Sequence, residues 1–321
     1  MNHSRLTRRH VIVGAVMGVV TLAWQRGARS ASAHPAAPAG AAGALTIGGD
    51  LVVNRLGFGA MRITGPGIWG EPQDPQEARS VLRRAIELGV NFIDTADAYG
   101  PEVSERLIAE VLRPYAKNLI IATKGGLTRP GPSEWVANGT PEHLRQACVQ
   151  SLKRLKLERI DLYQLHTIDS KVPLEESLGE LARLQKEGKI RHIGVSNFKL
   201  DDLVRAQRVV RVVSVQNQYN VADRVSEDVL DYCTREHIAF IPWAPLARGK
   251  PDALAPKTPG DTFTKIATEH GITTFQLAIA WLLAKSPAML PIPGTSSVAH
   301  LEENVAAARI GLSPKELVAI G

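Results

Sequence analysis

Cysteine is nearly absent: Cys148 and Cys233 are the only two in 321 residues, and no C-x-x-C pair occurs. A disulfide framework is therefore not expected, and both thiols read as packed side chains inside predicted helices. No H-x-H sequence occurs anywhere, so no metal site is expected and a metal-dependent barrel hydrolase would lack its ligands. No G-x-G-x-x-G follows an early strand, which argues against an open, doubly wound dinucleotide-binding sheet. An excess of charge of one sign is also missing from most of the chain. Five arginines and no acid within residues 1–33 carry most of the formal net charge of +6. The alkaline isoelectric point thus gives little support for a nucleic-acid or membrane-surface partner.

Residues 1–33 read as a targeting segment. Thr7, Arg8 and Arg9 precede a charge-free apolar run over 11–24, and Ala31-Ser32-Ala33 supplies an A-x-A cleavage pattern. The run is short of the roughly 20 residues that a bilayer span needs, so no stable membrane anchor is expected. The paired arginines resemble a twin-arginine export signal. That implies the twin-arginine export machinery as a partner and an exported, periplasmic protein; a cytoplasmic chain carrying an unused extension is the alternative. Residues 34–44 are rich in Ala, Pro and Gly and read as a linker.

From residue 45 onward the pattern alternates strand and helix. LTIGGDLVV (45–53) predicts a β-hairpin turning at Gly48-Gly49. Eight strands are then predicted: LGFGAM (56–61), NFIDTA (91–96), LIIATK (119–124), IDLYQLH (160–166), HIGVSN (192–197), VVSVQNQY (212–219), IAFIPWA (238–244) and MLPIPG (289–294). Helices are predicted to begin near Gln76, Glu102, Pro141, Leu174, Leu200, Ser226, Thr262 and Ser297. Asp74-Pro75 and Thr140-Pro141 supply an N-cap followed by Pro at the first helical position. Mostly continuous apolar strands alternating with helices predict an α/β fold, a (β/α)8 TIM barrel over 45–321 with the hairpin at its N-terminus. Two long loops, 63–75 with Trp69 and 127–139 with Trp135, leave the same face and are candidate walls of a pocket.

The stretch NFIDTADAYG (91–100) carries the chemistry. A buried strand delivers Asp94 at its carboxyl end, and Tyr99 follows on the loop; LIIATK ends on Lys124 and DLYQLH on His166. In a barrel these ends converge on one face. An ammonium beside a phenol is expected to stabilise phenolate and lower the Tyr99 pKa, with Asp94 holding Lys124 in place. Such a phenol can pass a proton to a carbonyl oxygen, and His166 can donate a hydrogen bond to the same oxygen. No nucleophile is needed, so the set suits proton delivery coupled to hydride transfer from a cofactor. Asn197 and Gln216, amides on strands five and six, can both donate to and accept from a carboxamide. Gly294-Thr295-Ser296 leads into a helix N-terminus, a ready phosphate site.

With these motifs in hand, the chain resembles the aldo-keto reductase family over nearly all of 45–321. The resemblance rests on LGFGAM, NFIDTADAYG, IATKGG, DLYQLH, GVSNF, VQNQYN, PWAPLARG and PIPGTSSVAHLEENV, in that order. It implies a TIM barrel, NADPH-dependent reduction of a small carbonyl substrate, and Asp94, Tyr99, Lys124 and His166 as the catalytic tetrad. It further implies that Gly59 and Met61 contact the cofactor, that Ser196, Asn197 and Gln216 hold the carboxamide, and that Trp243 stacks on the nicotinamide. Ala244, Pro245 and Leu246 would line the pyrophosphate path, and Gly294, Thr295, Ser296, His300, Glu303 and Asn304 would surround the adenosine end. Many relatives carry Lys or Arg where this chain has Ser296 or His300, so NADH is not excluded. Ala244 stands where Ser is common. Some similar members reduce pyridoxal, which makes it a candidate substrate. A cofactor-loaded regulatory module, as in the potassium-channel β subunits of the same fold, is the competing reading.

Overall fold

Alternation with a period of two sorts the side chains of every strand onto two faces. The computed structural model of the chain, which describes residues 39–250 and 262–321, puts one of those faces inside a curled sheet and the other under a layer of helices. The targeting segment expected over 1–33 lies outside the described residues, as does the first part of the linker.

Strands β1 (Ala44–Ile47) and β2 (Leu51–Asn54) pair antiparallel, with Ile47 opposite Leu51 and Gly48 and Gly49 both at positive φ in the turn between them. Then come β3 (Phe58–Gly59), β4 (Phe92–Asp94) and β5 (Ile120–Gly125), and a short ribbon of β6 (Leu127–Thr128) with β7 (Val136–Ala137) inside the second long loop. They are followed by β8 (Ile160–Leu165), β9 (Ile190–Ser196), β10 (Val212–Gln218) and β11 (Ala239–Trp243). Seven of these, β3, β4, β5, β8, β9, β10 and β11, form one parallel sheet in chain order. Helices α1 (Pro75–Glu87), α2 (Val103–Leu112), α3 (Pro141–Leu155), α4 (Leu174–Lys186), α5 (Leu200–Gln207) and α6 (Glu227–Arg235) cross between them. The Asp74 carboxylate accepts from the amides of Gln76 and Glu77, and Thr140 caps α3, as the sequence pattern predicts.

The eighth predicted strand, MLPIPG, does not form a ladder. Pro291 and Pro293 have no N–H to donate, so its pairing shrinks to a few bonds. Phe240 N donates to Ala288 O at 2.9 Å, Leu290 N to Phe240 O at 2.8 Å, and Gly57 N to Pro291 O at 2.9 Å. The segment therefore bonds to β11 on one side and to the residues ahead of β3 on the other, and the whole fits a (β/α)8-type barrel. Between β11 and this segment the structure has two helices where the pattern predicts one: α7 (Thr262–Glu269) and α8 (Thr274–Lys285), separated by Gly271 at positive φ. Leu277 through Leu282 of α8 are all buried, so the helix carries no polar stripe to announce itself. The chain ends with α9 (Val298–Ala306) and α10 (Pro314–Ile320), the latter not predicted.

The interior face explains what sits where. Phe92, Ile120, Ala122, Leu162, Ala239, Ile241, Leu290 and Ile292 pack with Ile47, Leu51 and Val53 of the hairpin in one buried cluster. The hairpin thus stops the end of the sheet from which the strands start. Two residues further along the same faces stand Asp94, Lys124, Gln164 and Trp243, so polar groups collect at the opposite, carboxyl end.

Close packing under that end leads to a prediction. A Cβ added at Gly125 would stand 2.1 Å from the Tyr163 hydroxyl, which is buried and has no hydrogen-bond partner among the described residues. Gly125→Ala should lose about 1–3 kcal/mol in urea unfolding through overpacking, and Tyr163→Phe should recover most of it. A wild-type midpoint for Gly125→Ala alone would refute the contact.

Candidate active site

β4 and β5 are neighbours with Asp94 paired to Ala122, so the two strands bring Asp94 and Lys124 to the same level. The Lys124 ammonium has no exposure at all and donates to Asp94 Oδ2 at 2.6 Å, Thr95 O at 2.8 Å and the Tyr99 hydroxyl at 3.2 Å. Its three donors are thereby matched by three oxygens, which is what an ammonium removed from water requires. The His166 ring, following β8, meets the Tyr99 ring edge-on at 5.9 Å between centroids. The structure thus brings Asp94, Tyr99, Lys124 and His166 together at the carboxyl end of the sheet.

Their protonation follows from burial and neighbours. Burial pulls the Lys124 pKa down, but Asp94 and Tyr99 outweigh it, so the pKa is raised and the group is held charged. For Tyr99 the balance differs from the sequence expectation. Burial pushes the phenol up, Lys124 pulls it down, and burial wins, so the pKa lies above the ordinary 10.0 instead of below it. The phenol is therefore a protonated donor. His166 is pushed well below the usual imidazole range by burial, reinforced by the charges of Lys124 and Arg129, and is neutral. Its Nδ1 is buried and has no hydrogen-bond partner among the described residues.

Two amides fix the carboxylate from the far side. Gln164 Nε2 and Gln216 Nε2 donate to Asp94 Oδ1 at 3.0 and 2.8 Å. Gln216 was read only as a carboxamide contact; the bond to Asp94 uses one of its N–H groups. Gln164 was missed. The signal was present, because a residue two before His166 on a strand shares its face.

The residues assigned to a nicotinamide cofactor also converge. Asn197, in the left-handed region at φ 62°, follows β9; its Nδ2 donates to His166 O at 3.0 Å and to Ser196 Oγ at 3.1 Å, and its Oδ1 accepts from Trp243 Nε1 at 3.0 Å. The Ser196 hydroxyl proton and the Gln216 amide oxygen are still available, a donor and an acceptor of the kind a carboxamide takes. After β11, Ala244 is held at φ 51°, a strained conformation for a residue with a Cβ, and its carbonyl accepts from Asn220 Nδ2 at 3.1 Å. Pro245 is buried and Leu246 half-buried beside it. Met61 is half-buried just past Gly59. A Cβ at Gly59 would lie 2.7 Å from Ile292 O, and one at Gly294 would lie 2.5 Å from Gly59 O, so only glycine lets these backbones pass.

At the far end the match is partial. Gly294, Ser296 and His300 are exposed and Thr295 is buried, its hydroxyl accepting from Ser297 N at 3.1 Å. The first amide of α9, Val298 N, is already taken by Glu77 Oε1 at 2.8 Å. Glu303 faces α8 and accepts from the Thr273 hydroxyl at 2.6 Å, while Asn304 is buried. Sequence reasoning missed Arg62, whose stem runs past Gly294 and whose exposed guanidinium makes no ion pair among the described residues. Backbone, hydroxyls and this free cation suit a phosphate-bearing dinucleotide.

Known proteins resemble this chain over most of its length. A family model described as Aldo/keto reductase family matches residues 55–320. An uncharacterised oxidoreductase of Schizosaccharomyces pombe is 53% identical over 282 residues, which is 88% of this chain and 90% of that protein. Pyridoxine 4-dehydrogenase of Escherichia coli is 41% identical over 275 residues, covering 84% of this chain and 94% of the relative. A crystal structure of an aldo-keto reductase from Klebsiella pneumoniae in complex with NADPH superposes with a TM-score of 0.71 at 26% identity, covering 86% of this chain and 93% of that one.

Removing one member of the buried pair should be costly because it strands the other's charge. Asp94→Ala should lower unfolding stability by about 3–5 kcal/mol, while Asp94→Ala combined with Lys124→Met should be more stable than Asp94→Ala alone. Equal denaturant midpoints for the single and double variants would show that Lys124 is not stabilised by this carboxylate.

Proposed function

The chain belongs to the aldo/keto reductase family and is an oxidoreductase, and from that premise we propose that it reduces aldehyde or ketone carbonyls with NADPH, Tyr99 acting as the general acid. The observation that carries this reading is the Lys124 ammonium, buried and bonded at once to Asp94 at 2.6 Å and to the Tyr99 hydroxyl at 3.2 Å. The nicotinamide, when bound, supplies the hydride. Every other part of the task falls to side chains of the chain. Tyr99 gives its proton to the carbonyl oxygen as that oxygen gains charge, and Lys124 stabilises the phenolate left behind. His166, neutral, offers a ring N–H to the same oxygen. Gln164 and Gln216 fix Asp94, and Asp94 fixes Lys124. Ser196, Asn197 and Gln216 would hold the carboxamide, with the Trp243 ring beside it.

The preference for NADPH rests on Arg62 together with Ser296 and His300 as partners of the extra phosphate, and on the NADPH-bound relative. The identity of the Escherichia coli relative supports including pyridoxal among the substrates tested.

Purified protein should oxidise NADPH in the presence of an aldehyde and ketone panel that includes pyridoxal, with kcat/KM for NADPH above that for NADH. Tyr99→Phe should lower kcat by about 10²–10⁴-fold while cofactor binding, followed by fluorescence titration, is retained. Unchanged turnover in Tyr99→Phe would remove the mechanism; a preference for NADH would remove the cofactor assignment.

The rate should also report the two perturbed groups. Reduction needs Tyr99 protonated, and its pKa is raised above 10.0, so activity is present at lower pH and is lost only as pH rises through the alkaline range. His166 stays neutral well below 6.5, so no acid limb from imidazole is expected near neutrality. A kcat for reduction that halves between roughly pH 7 and 8 would contradict a phenol whose burial outweighs Lys124.

A further inference from the structure

Arg129 lies just past β6 in the second long loop, and four backbone oxygens from three places in the chain converge on it. Its Nε donates to Glu134 O at 2.6 Å within its own loop; Nη1 donates to Ile68 O at 3.0 Å and to Ala98 O at 2.7 Å; Nη2 donates to Gly67 O at 3.0 Å. Gly67 and Ile68 belong to the first long loop, and Ala98 is the residue before Tyr99. No carboxylate pairs with this guanidinium among the described residues. A planar cation with a fixed fork of donors is the side chain that can tie several carbonyls at once; Lys cannot do so.

The same guanidinium stacks on an indole. Its central carbon is 3.7 Å from the Trp135 ring centroid, with the Trp69 ring at 5.7 Å on the first loop. Trp135 in turn meets the Tyr99 and His166 rings edge-on, each at 6.3 Å. Yet 38% of Trp135 remains exposed, a large apolar surface beside the two groups that would face a carbonyl. A cation stacked on an aromatic ring restrains that ring's place. Trp135 is thus set by Arg129, and Arg129 is set by both loops and by the Tyr99 segment.

We propose that Arg129 is a positioning residue for substrate selection: it clasps the two long loops to the Tyr99 segment and holds Trp135 as a flat wall over Tyr99 and His166, so that the site favours ring-bearing carbonyl compounds over short-chain ones. The inference rests on the carbonyl-reduction reading for its substrate and on geometry alone for the clasp. Arg129 touches no reacting atom in this account. Its effect passes through Trp135.

The test has two arms. In the first, kcat and KM for benzaldehyde, pyridoxal and propanal are measured in wild type, Arg129→Lys, Arg129→Ala, Trp135→Ala and the Arg129→Ala/Trp135→Ala double variant. The ratio of kcat/KM for benzaldehyde over propanal should fall by about tenfold in both Arg129 variants, through KM for the ring substrate. The double variant should fall no further than Trp135→Ala, because residues acting through one contact are not additive. In the second arm, amide hydrogen exchange is followed in loops 63–75 and 127–139, and both should exchange faster when Arg129 alone is changed. An unaltered substrate ratio in the Arg129 variants, or additive losses in the double variant, overturns the selectivity role. Faster exchange confined to 127–139 overturns the clasp. If wild type reduces none of the aldehydes, the carbonyl-reduction reading and the selectivity role fall together, while the exchange arm still decides the clasp. Arg129→Lys keeps the charge and serves if Arg129→Ala does not fold.

Discussion

A lysine with no solvent exposure inside a barrel is the constraint to which the rest of the site answers. Water is gone from around the ammonium, so every N–H must find an oxygen, and the three that do belong to a carboxylate, a backbone carbonyl and a phenol. The carboxylate creates its own demand, met by Gln164 and Gln216 from two further strands. One buried charge therefore recruits groups from β4, β5, β8 and β10 and couples their registers. A pair of this kind contributes little net stability compared with apolar packing, and breaking it is far worse than never having it. Its value is in specification: a slip of one residue in any of the four strands would turn a partner away from the interior.

The same constraint sets the proton inventory. Exposed beside an ammonium, a phenol would be acidified; buried beside one, it is pulled both ways, and desolvation prevails. The tyrosine is thus kept as a donor, while the adjacent imidazole, caught between burial and two cations, is kept uncharged. A cationic imidazole next to Lys124 would put an unpaired charge into a dry site that already holds one cation.

Much of this was legible in the sequence, for reasons that can be stated. Period-two alternation puts Phe92 with Asp94, Ala122 with Lys124 and Leu162 with Gln164 and His166 on one face, and the apolar members of each set identify the strand. Asp94, Lys124 and His166 could be singled out because they end or follow such runs, and Tyr99 because it stands on the loop after the first; the family resemblance joined the four into one set. What could not be read had no local signature. Helix α8 is apolar all round and shows no amphipathic period, and MLPIPG has strand composition but prolines where the ladder needs donors. The sign of the Tyr99 shift depends on how completely the phenol is enclosed, which composition does not report. Arg129 was invisible for a simpler reason: its partners are main-chain oxygens, and any residue supplies those.

The hairpin of β1 and β2 has a consequence for traffic. Ile47, Leu51 and Val53 are packed into the interior with Phe92, Ile120 and Leu162, so the strand-start end is solid. What is left, among the described residues, is a floor at that end and polar side chains at the other. A small molecule that reaches Asp94, Lys124 and Gln164 has to come from the carboxyl end, because the hairpin fills the other. The direction of approach is thus set by a turn of chain at the opposite end from these side chains.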